Sequence, residues 1–291
     1  MSYLLVVLLA VVVLVGVFVI AIHLGFRAPK IESTDTPKTR LNVDFLSVLI
    51  PVKVNKHLSG WLLPIEGAQE TLVVLHGWGS NAAMMLPLAL PFYQAGMNVL
   101  LFDARSHGQS DADTFSSLPR FAEDIGSAID WLKGEYPDRA KKIALLGHSV
   151  GAGAVLFEAS RRTDIAAVIS VSAFAHPEWM MQRYLQSLHI PAWLRRKVIR
   201  YVEWVIEHRF TTFAPINTVC RIRCPILMVH GKDDLVIPVD DARAILRHCP
   251  APHLRLIEIE GAGHSSVDKI ELHADTLIQF LREAGFTGLK H

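Results

Sequence analysis

Cysteine is scarce in this chain. Three occur in 291 residues, Cys220, Cys224 and Cys249. The number is odd and no CxxC or repeated pair is present, which argues against a cysteine metal site or a disulfide framework. The three thiols are therefore expected to be free, as in a reducing compartment. Charge of one sign is also lacking. The formal net charge is +1 and no basic run occurs, so nothing points to nucleic acid as a partner. Internal repeats are absent, and so is low-complexity sequence beyond the N-terminus, which leaves an ordinary globular chain as the expectation.

The first residues lack charge altogether. Leu4 to Ile22 contain no charged or strongly polar side chain. As a helix these residues span about 28 Å, enough to cross the hydrocarbon core of a bilayer. A cleaved leader is the alternative, but no Lys or Arg precedes the run and no small-x-small site follows it. Residues 1–25 are thus expected to be a transmembrane anchor, with 26–41 as a linker carrying Pro29 and Pro37. Arg27, Lys30, Lys38 and Arg40 all follow the span. The positive-inside rule then puts the remaining chain on the cytoplasmic side.

Residues 42–291 suit one α/β domain. Val43 to Val54 and Leu58 to Ile65 read as paired strands. Short apolar runs follow at Leu72–Leu75, Val99–Phe102, Ile143–Leu146, Val168–Val171, Ile226–Val229 and Leu254–Ile259. Helical patterns separate several of them, near Phe121–Gly134, Gly151–Arg161, Val239–His248 and Lys269–Ala284. Continuous apolar strands alternating with helices predict a mostly parallel sheet covered on both faces. Residues from about 176 to 215 break the alternation. Met181, Tyr184, Leu185 and Leu188 repeat at helical spacing, and so do Leu194, Val198, Tyr201, Val202 and Val205 after Pro191. Two amphipathic helices are expected there. They are either ordinary packing helices or a cap over a site, with Trp179, Met180, Trp193 and Trp204 available for apolar contact.

The strongest chemical signal is Gly147-His148-Ser149-Val150-Gly151, set between the run Ile143–Leu146 and a small-residue helix. Gly-x-Ser-x-Gly between strand and helix is a nucleophile elbow, a sharp turn that exposes a serine hydroxyl. Serine needs a base to take its proton, and the base needs a carboxylate to orient it. In elbow hydrolases the acid and then the histidine follow the serine in the chain. His230-Gly231-Lys232-Asp233-Asp234 follows one late strand and Gly261-Ala262-Gly263-His264 follows the next. The order alone leaves Asp233 and Asp234 as candidate acids.

These motifs make the chain resemble an α/β-hydrolase-fold serine hydrolase of the esterase, lipase and serine aminopeptidase kind, from about Val43 to the C-terminus. Leu75-His76-Gly77-Trp78-Gly79-Ser80 resembles the family's oxyanion loop. Phe102-Asp103-Ala104-Arg105-Ser106-His107-Gly108-Gln109-Ser110 resembles its Asp-x-Arg-Gly-His-Gly-x-Ser loop, except that Ser106 stands where glycine is common. The resemblance implies Ser149, His264 and Asp234 as the triad, Asp234 being chosen by the family's His-Gly-x-x-Asp register. It implies the Trp78 and Val150 amides as the oxyanion hole, structural roles for His76, His107 and His148, and no metal or other cofactor. The expected activity is cleavage of a carboxylic ester with an apolar acyl chain, a lipid among the candidates, with Trp179, Met180 and Trp193 lining the substrate site. A peptidase or thioesterase using the same triad, or a non-catalytic membrane scaffold, are the alternatives.

Overall fold

The computed structural model describes residues 2–25, 27–53 and 55–289, apart from the side chains of residues 2, 267 and 268. Helix α1 (Ser2–Gly25) is the apolar N-terminal segment. Its Tyr3–Gly25 portion is long and apolar enough to cross a membrane, and its side chains are largely exposed. Met1, Phe26, Val54 and the last two residues lie outside the described residues, and with them the expected start of the anchor, one linker position and the far end of the first strand.

The linker is more ordered than its prolines suggested. Thr36 accepts from the Thr39 amide and Pro37 occupies the first turn of a short helix, α2 (Pro37–Leu41). Proline is favoured there because the first helical N–H has no partner in any case. Upstream, the Ile31 carbonyl accepts from Asn81 Nδ2 at 3.0 Å, which holds the linker beside the loop that follows β3.

The sheet follows from the apolar runs. Its strands are β1 (Leu46–Val52), β2 (Lys56–Leu63), β3 (Glu70–Leu75), β4 (Asn98–Phe102), β5 (Lys142–His148), β6 (Ala167–Val171), β7 (Ile226–Gly231) and β8 (Leu254–Ile259). The order is β1-β2-β4-β3-β5-β6-β7-β8. β2 pairs antiparallel with β1 and β4, and every pairing from β4 to β8 is parallel. Alternation along β3 explains why its run is apolar throughout. Val73 and Leu75 face one buried cluster with Phe121, Ile125 and Ile129, while Leu72 and Val74 face another with Phe92, Leu277 and Leu281. Successive strand side chains point to opposite faces, so a strand covered on both sides needs no polar position.

Helix α4 (Leu118–Glu135) starts at Ser117, whose hydroxyl accepts from the Arg120 amide, and α5 (Val150–Ala159) packs beside it on one face. Helix α3 (Leu86–Gln94) lies on the other face and contains Pro87 and Pro91. Those prolines hid it from the sequence reading. Leu86, Leu88, Ala89 and Phe92 bury against the sheet and outweigh the lost backbone donor. The amphipathic pair after β6 is present as α6 (Pro177–Ser187) and α7 (Ala192–Val205), followed by the short helices α8 (Phe210–Phe213) and α9 (Pro215–Thr218). Helix α10 (Val239–His248) matches its expected span. The expected helix over Lys269–Ala284 is instead α11 (Val267–Glu271) and α12 (Ala274–Glu283). Ile270, Leu277 and Leu281 are all buried, so the apolar period continues across a turn that contains neither glycine nor proline.

The cysteine expectation needs correction. Cys220 and Cys249 are joined with Cα atoms 5.6 Å apart, and only Cys224 is a free thiol. The two sit 29 residues apart in sequence. Only the return of the chain through β7 and α10 brings them together, so spacing gave no sign of the pair. Scarce cysteine therefore carries no inference about a reducing compartment.

Candidate active site

Ser149 sits between β5 and α5 with φ 56° and ψ −117°, a strained conformation for a residue with a side chain. Its amide donates to the Val171 carbonyl at 2.9 Å, which ties the turn to the neighbouring strand. The flanking glycines are required by close approach. A Cβ at Gly147 would lie 2.2 Å from the Gly151 carbonyl oxygen. One at Gly151 would lie 2.4 Å from the His76 carbonyl oxygen. Strand, turn and helix can cross this tightly only where the side chain is a hydrogen.

The structure brings the expected acid, base and hydroxyl together. His264 Nε2 lies 3.0 Å from Ser149 Oγ, and His264 Nδ1 lies 2.8 Å from Asp234 Oδ2. Asp234 follows β7 and His264 follows β8, so adjacent parallel strands deliver both to the edge of the sheet where Ser149 emerges. Burial alone would raise the Asp234 pKa. The hydrogen bonds from His230, His264 and the Ile237 amide outweigh it and hold the carboxyl well below the usual carboxylate range. An ionised carboxylate only accepts, so the proton sits on His264 Nδ1 and Nε2 is free to accept from the serine. Asp234 Oδ1 accepts from the Val236 and Ile237 amides at 2.9 and 2.8 Å. Asp233, the alternative acid, is exposed.

Three further histidines surround these residues. His148 Nε2 donates to the His264 carbonyl at 2.8 Å, and burial lowers its pKa to about 4. His76 Nδ1 donates to the Gly77 carbonyl at 2.7 Å, while its Nε2 accepts from the Ala104 amide at 3.0 Å. His107 Nε2 accepts from the Gly79 amide at 3.1 Å, and its Nδ1 donates to the Arg105 carbonyl at 2.9 Å. Burial lowers both of these pKa values to about 4, so each ring stays neutral and keeps its acceptor nitrogen. His76 and His107 thus pin the Gly77 carbonyl and the Gly79 amide on either side of Trp78. Among the described residues, neither the Trp78 nor the Val150 amide has a backbone acceptor. Gly77 closes onto the elbow, since a Cβ there would sit 3.0 Å from Ser149 Cβ.

The departure at Ser106 has a local explanation. Its φ is 66°, the left-handed region that glycine enters freely. Ser106 tolerates it while its hydroxyl accepts from the Asp113 amide at 2.7 Å. Beneath this loop, Arg105 pairs with buried Asp124 and with Glu123. The loop is scaffold for the Trp78 turn.

The expected substrate contacts fare differently. Trp179 stacks on His176 with ring centroids 6.0 Å apart, and Met180 packs on the core. Trp193 is 57% exposed on α7, with the Lys197 ammonium over its ring. Sequence reasoning could not see the bidentate pair between Arg183 of α6 and buried Asp241 of α10, at 3.0 and 2.9 Å, which clamps α6 to the body of the fold.

The family model described as serine aminopeptidase, S33 matches residues 66–218, which include Ser149 but end before Asp234 and His264. An esterase from Pyrococcus furiosus has a similar fold, with a TM-score of 0.74 at 24% identity over 89% of this chain and 97% of its own. YfhR of Salmonella typhimurium is 24% identical over 82% of each chain. The α/β hydrolase domain-containing protein aho-3 of Caenorhabditis elegans is 28% identical over 72% of this chain and 56% of its own. With its elbow, sheet order and flanking helices, the chain belongs to the serine aminopeptidase S33 family of α/β-hydrolase-fold hydrolases.

Proposed function

We propose that this protein is a membrane-anchored serine hydrolase that cleaves a carboxylic ester through an acyl-enzyme. The observation that carries the reading is the continuous line from Ser149 Oγ through His264 to Asp234, at 3.0 and 2.8 Å. Ser149 attacks the acyl carbonyl as His264 Nε2 takes its proton. Asp234 holds the imidazole in the required tautomer and stabilises the imidazolium. The Trp78 and Val150 amides receive the oxyanion, where each such donor is worth about 3 kcal/mol of barrier. His264 then passes the proton to the leaving group, and water releases the acid by the reverse sequence. These residues need no metal or other cofactor.

Fold likeness to a protein named as an esterase supports the ester as substrate class. An apolar acyl chain fits the apolar Trp179 and Met180 of α6 and the anchor α1. Amide cleavage is the second reading, favoured by the aminopeptidase description of the family. Arg27, Lys30, Lys38 and Arg40 after the span support a cytoplasmic domain. The test is a fluorophosphonate probe with a panel of esters and amides on the full chain. Wild type should be labelled and Ser149→Ala should not. Absence of labelling on folded wild type would point to a non-catalytic scaffold. Faster turnover of charged, hydrophilic esters than of apolar ones would reject the acyl preference.

A further inference from the structure

The exposed face of α7 carries two indoles and three cations. Trp193, Arg196, Lys197, Arg200 and Trp204 are all exposed, and at 3.6 residues per turn they fall within roughly 100° of the helix circumference. The opposite side, Val198, Ile199, Val202 and Ile206, is buried in the core. Indoles therefore stand at both ends of the face, about 16 Å apart along the axis, with three cations between them. No acidic side chain pairs with Arg196, Lys197 or Arg200 among the described residues. Glu203, the acidic residue within the helix, is occupied by Arg209 and the Phe210 amide.

This face continues directly into the anchor. His23, near the end of α1, lies against Tyr201 of α7 with rings 6.0 Å apart and Nε2 3.4 Å from the Tyr201 hydroxyl. Tyr201 in turn touches Trp204, at 5.7 Å between centroids. A spanning helix leaves the hydrocarbon near its last apolar residues, so His23, Tyr201 and Trp204 mark the level of the headgroups. Tyrosine and tryptophan concentrate at that level because their rings are part apolar and part hydrogen-bonding.

We propose that the Trp193–Trp204 face of α7 docks on the anionic headgroups of the leaflet from which α1 emerges, laying the α6–α7 segment on the membrane. The proposal rests on the reading of α1 as an uncleaved anchor. Indoles at either end of α7 insert at the interface, while Arg196, Lys197 and Arg200 meet lipid phosphates and carboxylates. The Arg183–Asp241 clamp then transmits the position of the membrane to the body of the fold. A hydrolase held this way receives substrate from the bilayer plane.

The test uses the full chain reconstituted into vesicles of phosphatidylcholine, with or without phosphatidylserine, whose acyl chains carry bromine as a fluorescence quencher. Helix α1 contains no tryptophan, so quenching reports on the folded domain and not on the span. Strong quenching is expected with phosphatidylserine and weaker quenching without it or in high salt. Replacing Trp193 and Trp204 by Phe should remove most of the quenchable emission. Arg196→Glu with Lys197→Glu and Arg200→Glu should abolish the phosphatidylserine dependence while turnover of a short water-soluble ester persists. If that variant fails to fold, the salt response of the wild type decides. Wild type that resists alkaline extraction but shows no quenching overturns the docking and leaves the anchor intact. Wild type that washes off the vesicles overturns both.

Discussion

His148 Nε2 donates to the main-chain carbonyl of His264 at 2.8 Å, joining the residue before Ser149, the proposed nucleophile, to the residue proposed as its base. The bond crosses 116 positions of sequence. It fixes the turn after β8, and with it the direction in which the His264 ring points.

Removing that donor should cost rate more than binding. His148→Leu leaves a carbonyl without its partner and frees the His264 turn, a loss of roughly 1–3 kcal/mol. We expect kcat to fall about ten- to a hundredfold with KM little changed, and His148→Gln to recover part of it. Steady-state kinetics on an activated ester measure this. Unchanged kcat in a folded His148→Leu protein would contradict the role.

The two adjacent aspartates should separate cleanly. Asp234→Asn retains shape but leaves His264 in the wrong tautomer, with an expected loss of about 10⁴-fold in kcat. Asp233→Asn changes an exposed side chain and should stay within about twofold of wild type. Equal losses at both positions would mean that the loop register seen here is wrong.

Acid should destabilise the fold well above the range where carboxylates titrate. His76, His107 and His148 have folded pKa values of about 4 against 6.5 when exposed. Above 6.5 both states are neutral and stability is complete. As the pH falls from 6.5 towards 4 the unfolded chain binds protons that the native state refuses, at about 3 kcal/mol per histidine. Asp124, pushed up to about 7 by burial, works the other way and offsets roughly one of them. Urea midpoints should therefore drop steeply between pH 7 and 5. A flat profile across that window would show that these rings are charged in the native protein.

Gly151→Ala should disable the elbow. The new methyl group would meet the His76 and Leu75 carbonyl oxygens at 2.4 and 2.6 Å, so the loop carrying Trp78 has to move. Overpacking of this kind costs about 1–3 kcal/mol. Thermal melting and probe labelling together check it, and a melting temperature and labelling rate equal to wild type would refute the close approach.

The cysteine pair has a thiol signature. Oxidised protein, denatured and treated with maleimide, should show one reactive thiol, Cys224, and reduction should expose Cys220 and Cys249. By the chain-entropy argument, a cross-link closing a loop of this length adds about 3.6 kcal/mol of stability over the reduced form. Thiols trapped in whole cells then report which side of the membrane the domain occupies. A pair that stays oxidised there would reject the cytoplasmic placement, which the charges flanking α1 favour.

The sheet was largely legible before folding because strands buried on both faces are apolar along most of their length, as the runs Leu72–Leu75 of β3 and Val99–Phe102 of β4 are. The elbow was legible for a related reason. A turn this tight admits only hydrogen at positions 147 and 151, and that demand is written as glycine. Helix α3 was hidden because local propensity counts Pro87 and Pro91 against it, whereas burial of Leu88 and Phe92 decides in its favour. Sequence alone thus determined the strand runs, the elbow motif with the chain order of Ser149, Asp234 and His264, and an apolar segment of spanning length, because each is imposed by covalent neighbours and local environment. The tertiary structure brought Asp234, the acid that the family register implied, against His264, and it alone decided that Cys220 meets Cys249 and that Trp193 lies exposed beneath Lys197. The cysteine pairing joins residues whose separation in space is set by how strands and helices pack, and nothing in their immediate sequence records it.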